Sequence, residues 1–218
     1  MSTLKDFVHQ TARPLPVIIL ADVSGSMSAD GKIHALNQAM LEMVRSFATI
    51  DSTLAEVHLA VITFGGEAKL AVPLQPAKTV AWVALPAGGG TPMGDAFTLA
   101  AQLIDDPAII PSRAYRPTVV LVSDGCPTDD WRTPLTRLTG ESRASKADRM
   151  ALSIGADADR SMLAQFLADS NKQVFHAADA TQIRSFFRFV TMSVSTRMTS
   201  VNPNVVPLLP PPADLGDI

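Results

Sequence analysis

Three short apolar runs set the strongest limit on the fold: Pro16–Leu20 (PVIIL), Val57–Phe64 (VHLAVITF) and Thr118–Val122 (TVVLV). They are rich in β-branched residues and are bounded by Pro, Gly and Asp, which fits strands covered on both faces. The intervening segments carry helical spacing instead. Ile33, Leu36, Met40, Met43, Val44 and Phe47 recur at steps of three and four and make one apolar helix face. Pro92–Ile104 reads as a second helix, with proline near the first turn and Thr91 placed to cap it.

Further on, Met150–Ile154 and Gln173–His176 read as shorter strands around a helix from Arg160 to Asp169, and a last helix runs from Asp179 to Arg197. Lys69–Pro73 is expected as an antiparallel strand beside Val57–Phe64, turned at Gly65-Gly66-Glu67. Strands alternating with helices imply right-handed crossovers. The expected fold is therefore α/β and Rossmann-like: a doubly wound, mostly parallel sheet with one antiparallel edge strand and helices on both faces.

Of the 218 residues, 47% are apolar and 18% charged, a globular balance that can bury a sizeable core. The net charge of −3, with no Lys/Arg stripe, gives no electrostatic reason to expect nucleic acid or a membrane surface as partner. Cys126 is the single cysteine, so an internal disulfide is excluded. The opening MSTLKDFVHQTARP has no apolar signal-peptide core, and no apolar run approaches the ~20 residues of a membrane span, so a cytoplasmic protein is expected. The organisation expected is a lead-in over 1–13, the α/β domain over 14–200, and a tail over 201–218. The tail carries five prolines, reads as extended and partly polyproline-like, and is expected to be disordered or packed against its own domain.

In a doubly wound sheet, ligands gather at the carboxyl ends of the strands. Three polar groups converge there. Asp22, Ser24 and Ser26 follow the first strand at two-residue steps, Thr91 follows a run of three glycines, and Asp124 follows the Thr118–Val122 strand. All five offer hard oxygen and none offers a soft ligand, which suits Mg²⁺ or Mn²⁺, with Ca²⁺ a third candidate, and disfavours zinc or copper. Gly25 lets the chain turn at the site, and Gly88 to Gly90 let the backbone approach it.

The stretches DVSGSM, GGGTPMGDAF and VSDGCPTDD resemble the three parts of the metal-ion-dependent adhesion site (MIDAS) of von Willebrand factor A domains. The likeness covers roughly residues 14 to 198, with the parts in the expected order. Within that family the chain is most similar to the compact bacterial branch typified by the tellurium-resistance protein TerY, on DVSGSM, GGTPMGDA and SDGCPTDDW. The resemblance implies that Ser24, Ser26 and often Thr91 touch the metal, and that Asp22 and Asp124 act directly or through water. It also implies a setting with a kinase and a phosphatase. The expected activity is binding without catalysis: hydroxyl ligands bring no charge to the metal, so an Asp or Glu of a partner protein becomes its best remaining ligand.

Other readings fit the residues less well. An aspartyl-phosphate phosphatase usually needs a second acid two residues after the first, where Ser24 stands. The glycine run does not satisfy G-x-G-x-x-G, and His9, His34, His58 and His176 are scattered. An extracellular adhesion domain would use the same site but lacks export and disulfide features. A structural or assembly subunit stiffened by its metal is the other binding alternative. Asp95 and Asp129 are expected as solvated acids, Cys126 as a small loop residue, and Trp131 either as packing or as a contact surface.

Overall fold

The computed structural model describes residues 12–140 and 142–215. The lead-in, His9 included, therefore lies outside the described residues except for Ala12 and Arg13, as do the last three residues of the tail. Six strands form one sheet: β1 (Arg13–Asp22), β2 (Ala55–Gly65), β3 (Glu67–Pro76), β4 (Thr118–Ser123), β5 (Asp148–Ile154) and β6 (Phe175–Ala177). Their order is β3-β2-β1-β4-β5-β6, parallel throughout except for the antiparallel β2–β3 edge. This is the mixed, doubly wound sheet expected from the sequence.

Helices cover both faces. α1 (Lys32–Thr49) and α5 (Ala180–Thr199) pack on one side; α2 (Met93–Asp105), α3 (Arg132–Thr139) and α4 (Arg160–Leu167) pack on the other. Alternating residues of β1 divide between the two cores. Val17, Ile19 and Ala21 face α1 and α5, whereas Ile18 and Leu20 face α2. All five are fully buried, which is why PVIIL shows no polar alternation. Burying each larger side chain contributes roughly 1.5–3 kcal/mol. Phe97 of α2 stacks on Phe166 of α4, ring centres 5.7 Å apart, tying the second layer together.

β1 begins earlier than its apolar run. Residues 13–16 pair with β2 alone, and β4 joins only from Val17, so Pro14 and Pro16 sit where one side of the strand needs no ladder. α3 has no counterpart among the sequence expectations. It is eight residues long, carries Pro134 in its first turn and buries only Leu135 and Leu138, too few positions to show a period.

The tail packs on its own domain. Pro203 O accepts from Arg197 Nε at 2.9 Å, Asp214 accepts from Gln182 Nε2 and Ser185 Oγ, and Leu215 is buried in the α1/α5 core. Among the described residues, no helix is long and apolar enough to cross a membrane.

Candidate metal centre

The strand order reverses at β1, with β2 on one side and β4 on the other, and the carboxyl ends at such a switch point are where doubly wound sheets gather ligands. Asp22 is the last residue of β1. Its carboxylate is fully buried, with Oδ1 accepting from the Ser24 amide at 2.9 Å and Oδ2 from Ser123 Oγ at 2.6 Å. Burial raises the pKa of Asp22 above its ordinary 3.8; the bonds from Ser123 and Ser24 pull it back in part, and the nearby charge of Asp124 adds to the rise.

Asp124 follows β4 directly and is equally buried. Its Oδ1 accepts from Ser26 Oγ at 2.7 Å and its Oδ2 from Lys32 Nζ at 2.8 Å. Ser24 Oγ and Ser26 Oγ stand 3.0 Å apart. Ser26 gives its single proton to Asp124, and the Ser24 hydroxyl, between Ser26 and Asp22, donates to one of these two neighbours. Either way the protons are directed toward carboxylates, and lone pairs on both hydroxyl oxygens are left for a cation.

Thr91 closes the set from a third segment. A Cβ built on Gly125 would lie 3.7 Å from Ser26 Oγ and 3.9 Å from Thr91 Oγ1, so the two hydroxyls face the same spot. Thr91 is held by its backbone: its N–H donates to Thr128 Oγ1 at 2.9 Å, and its carbonyl accepts from Thr128 N at 3.0 Å. The glycine run ahead of it is tied down as well, through Gly25 N to Gly89 O, Gly66 N to Gly90 O and Gly88 N to Val23 O. A Cβ on Gly89, whose φ is +78°, would fall 2.4 Å from Gly66 Cα, so no larger residue fits there. Asn37 of α1 clamps the approach to this loop, exchanging hydrogen bonds with both the N–H and the carbonyl of Leu85.

Two expectations around the site are corrected. Thr91 does not cap α2. The N-cap position is Pro92, and the free amides of Gly94 and Asp95 donate to the two carboxylate oxygens of Asp129, each at 3.0 Å. A carboxylate reaching in from the β4–α3 loop does the capping, and Asp129 is therefore not a solvated acid. The close approach of that loop is permitted by Gly94, where a Cβ would meet Asp130 O at 2.1 Å. Trp131 packs into the α2/α3 core, and Asp95 is exposed as expected.

The donor set is all oxygen: two buried carboxylates and three hydroxyls, with Ser26 the one exposed member. No group of three or more His, Cys, Asp or Glu able to hold a metal occurs among the described residues, so a cation here would rest on mixed hydroxyl and carboxylate oxygen. That chemistry fits a hard divalent ion.

A family model for the von Willebrand factor type A domain matches residues 17–127, just over half of the chain and all five of these residues. The chain belongs to the von Willebrand factor type A family. Its fold is similar to that of proximal thread matrix protein 1 from the mussel byssus (TM-score 0.66, 18% identity, 84% of this chain and 48% of that one). The same mussel protein with a zinc-occupied MIDAS motif gives a TM-score of 0.65 at 17% identity, again covering 84% and 48%. A von Willebrand factor type A protein from Catenulispora acidiphila gives 0.64 at 22% identity, covering 84% and 42%. The chain spans about half the length of these structures or less. No curated protein sequence matches it.

Three participants in this von Willebrand factor A site escaped the sequence reading. Ser123 could have been found from strand pairing, because Ala21 opposite Val122 places Asp22 next to Ser123. Thr128 and Lys32 carry no such mark. Thr128 lies in an irregular loop, and Lys32 stands ten residues beyond Asp22 at the head of α1.

Proposed function

We propose that this von Willebrand factor A domain is a non-catalytic, metal-dependent protein-interaction module. Asp22, Ser24, Ser26, Thr91 and Asp124 would hold a divalent cation, Mg²⁺ or Mn²⁺ by the hardness of the donors, and that ion supplies a Lewis-acid seat for a carboxylate oxygen. The partner is a protein presenting Asp or Glu. The observation that carries this reading is the convergence of three hydroxyls and two buried carboxylates from three separate segments, with only Ser26 facing solvent.

The protein's own groups are arranged for binding rather than turnover. Ser26 donates its proton to Asp124, which also accepts from Lys32, and no histidine joins this cluster to act as a base. The tied glycine run and Asn37 keep the Thr91 backbone in place, so the site is organised before a ligand arrives. Ser24 occupies the place where an aspartyl-phosphate enzyme needs its second acid, which further favours a binding role. The TerY-like stretches support a bacterial tellurium-resistance or stress setting, with a kinase or phosphatase as partner. The exposed free thiol of Cys126 suits a reducing cytoplasm.

Calorimetric titration with Mg²⁺ and Mn²⁺ tests the proposal. Wild type should bind one ion and Asp22→Ala none; absence of binding by wild type overturns the reading. Capture of an acidic partner should then be lost with EDTA and with Thr91→Ala. Capture indifferent to both would assign the metal a purely structural role.

A further inference from the structure

One cation already sits in the metal centre. Lys32 Nζ lies 2.8 Å from Asp124 Oδ2, on a carboxylate with no exposed side-chain surface. The ammonium is itself largely enclosed, its side chain 17% exposed. It opposes one of two buried negative charges, and Asp22 has no cation of its own among its bonds. A divalent ion among the same five oxygens would bring two further positive charges to the carboxylate that Lys32 holds, and like charges at such range in a partly dry site repel strongly.

A cavity lined by acids lies next to this ion pair. Lys32 also lines this cavity of about 220 Å³ between the ends of β5 and β6 and the head of α1, together with Asp30, Asp157 and Asp179. Asp179 uses one carboxylate oxygen to cap α5, but Asp30 and Asp157 are exposed acids. Gly155 forms part of the same wall, and a Cβ built on it would lie at ordinary contact distance, 3.7 Å, from Nζ, so the ammonium already borders this cavity.

We propose that Lys32 is a built-in competitor of the metal: its ammonium neutralises Asp124 in the metal-free site, and metal entry moves it toward the acid-lined cavity. The inference rests on the metal-centre reading and adds a regulation to it. Metal binding must expel a cation already present, so the ion is held weakly until a partner carboxylate contributes its own charge. Metal and partner then bind cooperatively, each raising the affinity of the other.

The test uses the full chain and Mn²⁺ as probe, followed by calorimetry and by thermal unfolding in EDTA. Lys32→Met should bind Mn²⁺ about tenfold more tightly than wild type, the order expected for removing one partly screened charge beside the ion. In EDTA the same variant should melt lower than wild type, because two buried carboxylates are left without a counter-charge, and added Mn²⁺ should raise its Tm by more. Lys32→Arg should keep the weak affinity of wild type. Lys32→Gln replaces Lys32→Met if the apolar side chain prevents folding.

Neutralising the cavity acids with Asp30→Asn and Asp157→Asn should weaken Mn²⁺ binding when Lys32 is present and much less when Lys32→Met is combined with them, a coupling that general loss of negative potential would not produce. Unchanged or weaker Mn²⁺ binding by Lys32→Met, with wild-type binding intact, overturns the competitor role. Binding by neither protein overturns the metal centre, and the competitor with it.

Discussion

Two buried charged sites, Arg197 near the amino ends of the strands and the Asp22–Asp124 pair at the carboxyl ends, are partnered in different ways. At the amino ends of the strands, Arg197 is fully enclosed, and each of its nitrogens has a partner: Nε donates to Pro203 O at 2.9 Å, Nη1 to Thr118 Oγ1 at 2.6 Å and Nη2 to Arg116 O at 2.5 Å. Burial pulls its pKa down to about 10, which leaves it charged at neutral pH. At the carboxyl ends, Asp22 and Asp124 are buried as deeply, but Asp22 is met only by neutral donors and one ammonium answers two carboxylates. The satisfied charge holds the structure together. The undersupplied pair has capacity to spare, and spare capacity in a buried polar cluster is what a ligand can fill.

The largest expected effect comes from breaking the satisfied Arg197 site. Arg197→Met orphans Thr118, two carbonyls and the tail anchor, and should cost about 4 kcal/mol in urea unfolding, while Mn²⁺ affinity of the folded fraction stays unchanged. Loss of metal binding in that variant would show that the two sites are not independent.

Asp22→Asn breaks the other site and should weaken metal binding more than about a hundredfold by calorimetry. Its effect on stability has the opposite sign. Because the folded-state pKa of Asp22 lies above 3.8, the folded protein holds that proton more tightly than the unfolded chain does. The contribution to stability is complete below pH 3.8 and is lost as pH rises through the raised pKa. At pH 7 in EDTA, Asp22→Asn should therefore melt no lower than wild type and gain on it as pH rises from about 4 to 7. Metal binding by wild type should fade on acidification sooner than an exposed aspartate would allow.

Smaller effects sharpen the contrast. Thr91 is held through its backbone, so Thr91→Ala should lower Mn²⁺ affinity about tenfold and move stability by less than ~0.5 kcal/mol. Asp129→Ala removes the α2 cap and should cost about 1 kcal/mol in unfolding, with a lesser weakening of metal binding through the neighbouring Thr91–Thr128 contacts.

The architecture was legible because burial on both faces leaves a mark on composition: Val17 to Ala21 and Val119 to Val122 have no exposed surface, and their apolar runs say so. The polar donors were legible because Asp22, Ser24 and Ser26 alternate at a strand end, and glycines announce Thr91. What escaped depends on contacts distant in sequence. Asp129 caps a helix 34 residues upstream, and Lys32 reaches 92 residues to Asp124. Neither bond leaves a local pattern, and Thr91, adjacent to the helix start, looked the better cap by proximity alone. α3 failed for a different reason: with two buried leucines, its period is too short to read.

The packed tail also sets an order for synthesis. Arg197 emerges before Pro203, and the core position filled by Leu215 comes later still. Until those residues have been made, a guanidinium deep in the domain lacks one of its acceptors and the α1/α5 layer lacks its last apolar side chain. The growing protein therefore reaches its native stability late, as a piece of luggage is secured only when the buckle at the end of the belt is fastened.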